Sequence, residues 1–157
     1  MSGLLRILTL FWTGLMAGYF WSMHHTIMPG LAQIDPGAAF LAMQSISQIG
    51  DSAMFGIVFF GATVLHLAVV IDCVVHWRGV APKVVFVASS MFLFGVALTT
   101  IAAHAPLDQM IAMLDVQNPT FASDWSDFAD PWSSWNDLRA GASIGSFLLL
   151  SLTFTSS

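Results

Sequence analysis

The chain has 157 residues, of which 57% are hydrophobic and only 8% charged, and its mean hydropathy is +0.79. Soluble domains carry about a quarter charged residues, so the composition excludes an ordinary soluble domain and points to one embedded in lipid. Four Lys and Arg against nine acidic residues, a net charge of −5, exclude a nucleic-acid partner, which needs clustered cations to meet phosphates. All nine acidic residues are Asp, and the lone Cys73 lies in an apolar run and cannot form an internal disulfide.

Four hydrophobic segments follow one another at roughly 4–27, 52–75, 83–104 and 136–155. Each has about 20 residues, enough at about 1.5 Å per residue to cross a hydrocarbon layer of about 30 Å. Inside lipid the backbone must satisfy itself, so the expected fold is all-α, a bundle of four transmembrane helices forming one domain over residues 1–157. The fourth segment is the weakest, because its purely apolar part runs only from Ala140 to Phe154. The start, MSGLLRILTLFW, imitates a secretory signal, but its apolar run is too long and aromatic to be cleaved, and a retained anchor helix is expected.

Orientation follows from the cations. Arg6 precedes the first span, and Arg78 and Lys83 flank the short turn between spans two and three. The positive-inside rule puts both termini and that turn in the cytoplasm, as for a bacterial inner membrane. The other two connections, which hold eight of the nine Asp residues, then lie outside. Each is expected to carry a short amphipathic helix. In the first, Asp35-Pro36 is an N-cap followed by proline, and a helix continues to Gly50 with Phe40, Met43 and Ile46 on one side. Asp51 or Ser52 then caps the second span. In the second connection a helix breaks at Asn118-Pro119, and Asp124, Asp127 and Asp130 with Trp125, Phe128, Trp132 and Trp135 are expected as a re-entrant or interfacial cap. Gly14, Gly18, Gly56, Gly61, Gly141 and Gly145 are read as close helix contacts, with the small-x3-small spacing at 14/18 and 141/145.

The histidines invite a chemical reading. His24 and His25 end the first span and His104 ends the third, at similar depth. With Asp108 and Asp51 they are candidates for a metal site or a general base, since imidazole and carboxylate ligate transition metals and His titrates near neutrality. Interfacial histidines bonded to headgroups or loop carbonyls are the structural alternative. His66 lies mid-span, where a polar group faces the bundle interior and finds a partner. Thr99, Thr100 and Ser146 are candidate partners, and axial ligation of a haem or pigment is a second reading. Asp72 and His76, one turn apart, support a helix end. With no Glu, di-iron carboxylate bundles are excluded, five scattered histidines are too few for a membrane di-iron hydroxylase, and no P-loop, dinucleotide or Gly-x-Ser-x-Gly motif is present.

The stretch TGLMAGYFWSMHHTIMPGL, then FLAMQSIS, then Pro106-Leu107-Asp108, then WSSWNDLRA resembles the DUF1772 or anthrone oxygenase-like family over most of the chain. The chain departs from the family pattern at Asp108, where Asn is expected, and in the Asp-rich insert 124–130. The resemblance implies a four-helix membrane protein. Some relatives oxidise an anthrone to an anthraquinone with molecular oxygen and no metal or flavin, the phenolic substrate being its own reductant. Carried onto this chain, His24 or His25 is the candidate base. Trp132, Trp135 and Asn136, with Trp21 beside the His pair, are candidates for substrate binding, and Arg139 for charge stabilisation. Asp108 or Asp137 as a simple ion-pair partner is the structural alternative for Arg139. The expected function is thus a membrane-embedded, oxygenase-like protein acting on a small apolar aromatic or quinone-like molecule. The rivals are a non-catalytic subunit of a larger photosynthetic, respiratory or monooxygenase complex, or a homo-oligomer of that kind, and an outer-face metal-binding protein using His24, His25, His104 and Asp108.

Overall fold

A computed structural model describes residues 3–50, 52–113, 115, 117 and 121–155, with the side chains of 121–123 and 155 excepted. The described residues are helical with short connections and contain no strand. Five helices account for them. Three, α1 (Gly3–Leu31), α3 (Ala53–Val75) and α4 (Ala81–Met113), are long and apolar enough to cross a membrane. The others are α2 (Pro36–Gly50) and the 35-residue α5 (Phe121–Thr155). The apolar half of α5 begins only at Ala140, after Asp137 and Arg139.

The long helices pack side by side, and their seams are set by small residues. A Cβ on Gly95 of α4 would stand 2.4 Å from the Cβ of Ala142 in α5, closer than atoms approach. A Cβ at Gly145 would meet Met91, at Gly14 it would meet Phe147, and at Gly61 it would meet Trp12. Gly18, Gly56 and Gly141 have nothing within 4 Å. Of each small-x3-small pair, one glycine is therefore in a seam, and the tightest contact is at Gly95, outside both motifs.

Two prolines lie inside spanning helices, and in each case a π-helical turn precedes them. Met23–Ile27 comes before Pro29, and Thr100–His104 before Pro106, with a second π turn at Leu93–Leu98. Proline removes one backbone donor and clashes with the carbonyl four residues back; a wider turn just upstream accommodates both without ending the helix. The turns also change helical phase. In α1 the buried positions run Met16, Phe20, Met23 and then Met28, a gap of five.

α2 starts where the sequence places it. Asp35 Oδ1 accepts from the backbone N–H groups of Gly37 at 2.9 Å and Ala38 at 3.2 Å. It lies across the end of the bundle, burying Ala39, Phe40 and Met43, and Gln44 donates to the carbonyl of Ile111 in α4 at 3.2 Å. Ser52 caps α3 through the N–H of Phe55 at 3.4 Å; Asp51 lies outside the described residues, as does the Asn118-Pro119 break. The Asp-rich stretch is not a re-entrant cap. It is the first half of α5, which runs unbroken through Pro131 into the apolar half. A single apolar cluster at this mouth, including Met23, Phe40, Met43, Ile111, Phe128 and Trp132, joins the helices. At the opposite end Arg6 donates to the carbonyl of Thr153 at 2.6 Å and lies over the Phe154 ring.

Candidate active-site chamber

Below the mouth, side chains from all five helices surround a cavity of about 260 Å³. α5 supplies Trp132 and Arg139, α4 supplies Thr100 and Asp108, and α1 supplies Tyr19. Trp132, Asn136 and Arg139 stand at i, i+4 and i+7 of α5 and therefore share one inward face.

Arg139 is the chamber's cation, only 4% exposed. Its guanidinium lies 4.5 Å from the Phe20 ring centroid and 5.4 Å from that of Trp132, close enough for cation–π attraction to both. Nη2 donates to Asn136 Oδ1 at 3.1 Å and Nη1 reaches Thr100 Oγ1 at 3.5 Å, while Nε has no hydrogen-bond partner. Asn136 is held in turn by donating to the Phe20 carbonyl at 3.2 Å. Across the chamber the Asp108 carboxylate accepts from Trp132 Nε1 at 3.2 Å. Buried His104 stands edge-on to the other side of that indole, ring centroids 5.0 Å apart. The walls thus carry one fixed cation, one carboxylate, a phenol and aromatic faces, with the indole of Trp132 touching both charged groups. Such a constellation suits an aromatic molecule that develops negative charge on an oxygen.

The other sequence-derived candidates lie elsewhere. His24 and His25 lie within the π turn and are exposed. His24 Nδ1 pairs with Asp137 at 2.5 Å, both side chains about half exposed, and His25 stacks on Trp21 with ring centroids 5.1 Å apart. His24, Asn136 and Asp137 border a separate open hollow. Trp135 is 44% exposed and Trp21 47%. The His pair is thus not on the chamber wall, and Asp137 is engaged with His24 rather than with Arg139. His24, His25, His104 and Asp108 do not converge on a metal: among the described residues no three His, Cys, Asp or Glu side chains gather to hold one. His66 faces the interior as expected, but its partner is Thr13 on α1, at 2.9 Å. The Thr13 hydroxyl already donates to the Thr9 carbonyl, so Nε2 of His66 carries the proton and Thr13 accepts it. The His66 ring is unexposed and stacks on Phe92, ring centroids 4.2 Å apart, and its Nδ1 has no hydrogen-bond partner.

Tyr19 is the chamber residue that sequence reading passes over. It is the chain's only tyrosine, and it lies one turn before buried Met23 on the face that also carries Met16. That placement is the signal that points to it.

A family model described as anthrone oxygenase matches residues 43–149. The matched part includes Thr100, Asp108, Trp132, Asn136 and Arg139, and leaves out α1 with Tyr19 and the His pair. No curated protein and no solved structure matches the chain. With about two-thirds of its length inside that match, the chain belongs to the anthrone oxygenase family.

Proposed function

We propose that this protein is a four-span membrane oxygenase that oxidises a small phenolic aromatic, of the anthrone or hydroquinone type, inside the Arg139 chamber. The observation that carries the reading is the buried guanidinium of Arg139, stacked on two aromatic rings at the wall of a cavity that also holds a carboxylate. A charge in a spanning segment is costly and is kept where it serves a ligand, a pathway or a partner. In the topology proposed, α5 is the fourth span, both termini are cytoplasmic, and the chamber mouth with its Asp-rich helix half faces outward, as the distribution of cations supports.

The chemistry balances without an added reductant. A hydroquinone loses a phenolic proton and gives quinone and hydrogen peroxide; in an anthrone, removing a proton from the activated methylene leaves an enolate whose oxygen Arg139 stabilises. That electron-rich anion reduces molecular oxygen. One oxygen atom becomes the new carbonyl, and the other departs as water with the two methylene hydrogens. The proton acceptor on the chamber wall is Asp108, a carboxylate where the family pattern leads one to expect Asn; His24 and His25 stand outside the chamber. Trp132 supplies a flat apolar face on the chamber wall, and buried Phe20 stacks on Arg139.

The test is oxygen uptake by purified protein in mild detergent with a hydroxyanthrone. Uptake at one oxygen per anthraquinone formed, lost in Arg139→Gln and Arg139→Lys variants that keep their helical content, is the expected result. Uptake no faster than the uncatalysed rate, or unchanged in both variants, overturns the reading.

A further inference from the structure

Beside the chamber lies a second, larger cavity of about 490 Å³, between α1, α2 and α3. Its own walls include Leu15, Met54 and Val58, and of the residues around it Leu15 is 45% exposed, Met54 70% and Ile49 71%. Leu15, Met54 and Val58 belong to α1 and α3, helices long and apolar enough to lie in hydrocarbon, so the cleft opens sideways toward lipid rather than toward water. Four residues, Tyr19, Ile46, Gly50 and Phe55, line both cavities. A Cβ on Gly50 would stand 3.9 Å from the Tyr19 hydroxyl, and the Tyr19 ring leans on Phe55 at 5.2 Å. The partition between the two spaces is therefore a tyrosine, a phenylalanine, an isoleucine and a bare helix end. On one side stand the cation and the carboxylate; on the other the described lining residues carry no charge.

We infer that the lateral cleft is the entrance and tail-binding subsite of the chamber, so that the substrate is a hydroxylated aromatic head carrying an alkyl or prenyl chain and is delivered from the bilayer. The inference rests on the chamber holding the aromatic head, as proposed above. The division of character between two adjoining spaces that share those four wall residues carries it. An oxyanion needs Arg139 and Asp108 on its side of the partition, whereas hydrocarbon gains from the cleft and loses nothing by leaving lipid. A substrate already dissolved in the membrane also reaches the chamber without crossing the cluster of Phe40, Met43, Ile111 and Phe128 that covers the mouth.

The test uses full-length protein in phosphatidylcholine nanodiscs and a hydroquinone bearing a decyl chain with a terminal diazirine, with a headless decyl diazirine as comparison. After irradiation, labelled peptides are mapped. The head-bearing probe is expected to label the segments around Leu15 and Met54–Val58 about tenfold more than the headless one, which corresponds to about 1.4 kcal/mol of preference. Val58→Trp and Leu15→Trp, which fill the cleft and leave the chamber untouched, are each expected to remove most of that labelling. Equal labelling by both probes marks the cleft as ordinary lipid-facing surface and overturns the inference, as does labelling that neither variant reduces. The readout does not depend on turnover. Labelling as expected with no oxygen uptake keeps the subsite and discards the oxygenase reading. Uptake that requires Arg139, with label elsewhere, does the reverse.

Discussion

Two polar side chains are buried equally deeply in this bundle, and their surroundings differ. His66 is unexposed, donates one hydrogen bond to Thr13 of the next helix and lies flat on Phe92. Arg139 is 4% exposed, keeps a permanent charge, and faces open space shared with Asp108 and Tyr19. Both satisfy the rule that a polar residue in a span turns inward and finds a partner. The first is closed off by packing, as a residue that joins helices should be. The second is left with cavity space in front of it, on a wall shared with Asp108 and Tyr19. A buried polar group in a membrane protein marks a site only when space has been kept beside it, and that distinction separates Arg139 from His66.

The comparison is broken or sharpened by graded substitutions. Arg139→Gln is expected to lower the oxidation rate by about 10²–10³, the usual cost of removing one preorganised group that stabilises an oxyanion. Lysine at that position should restore little, because a point charge reproduces neither the fork to Asn136 and Thr100 nor the stacking on Phe20. Asp108→Asn keeps the acceptor for Trp132 but removes the base, and a loss of about 10²-fold in the same assay is expected. An unchanged rate there assigns proton removal to another group. Gly95→Ala lies away from the chamber. It drives a Cβ into Ala142, and thermal unfolding in detergent should show a destabilisation of about 1–3 kcal/mol. His66→Leu should cost about 1 kcal/mol or less, since Thr13 keeps its bond to Thr9, and should leave oxygen uptake within about twofold of the parent. His24→Ala should do least. Its pair with Asp137 is half exposed and such pairs contribute little, so both rate and stability should stay near those of the parent.

How much of this was legible in the sequence depends on which helical rule applied. Hydropathy and length locate α1, α3 and α4, and the Asp35-Pro36 signal locates α2, because these depend on composition and local capping. Trp132, Asn136 and Arg139 are singled out by the family resemblance, and they share a face because α5 keeps regular α-helical phase: buried Phe128, Trp132, Asn136, Arg139, Ser143 and Ser146 follow at steps of three or four. Trp135 falls between those positions and points out. The His pair lies off the chamber wall. His24 stands four residues after buried Phe20, yet it is exposed and paired with Asp137 of α5, and the π turn Met23–Ile27, which no residue type announces, defers the next buried position after Met23 to Met28. The fourth span is expected only from residue 136, with the acidic, aromatic stretch before it set apart as a re-entrant or interfacial cap, because the purely apolar run starts at Ala140 while the contacts of Phe128 and Trp132 that extend the helix are tertiary. The chamber itself, and the lateral cleft that shares Tyr19 with it, are spaces left between helices, which one-dimensional pattern does not encode.

The most direct measurement is a spectral titration of a hydroxyanthraquinone, whose colour changes when its phenol ionises, against the parent protein, Arg139→Gln and His66→Leu in the same detergent. If Arg139 stabilises a substrate oxyanion, the parent and His66→Leu will bind the dye as its phenolate at a pH where free dye is neutral, and Arg139→Gln will not. An equal colour shift in Arg139→Gln, or its loss in His66→Leu alone, would contradict the assignment of the chamber to Arg139.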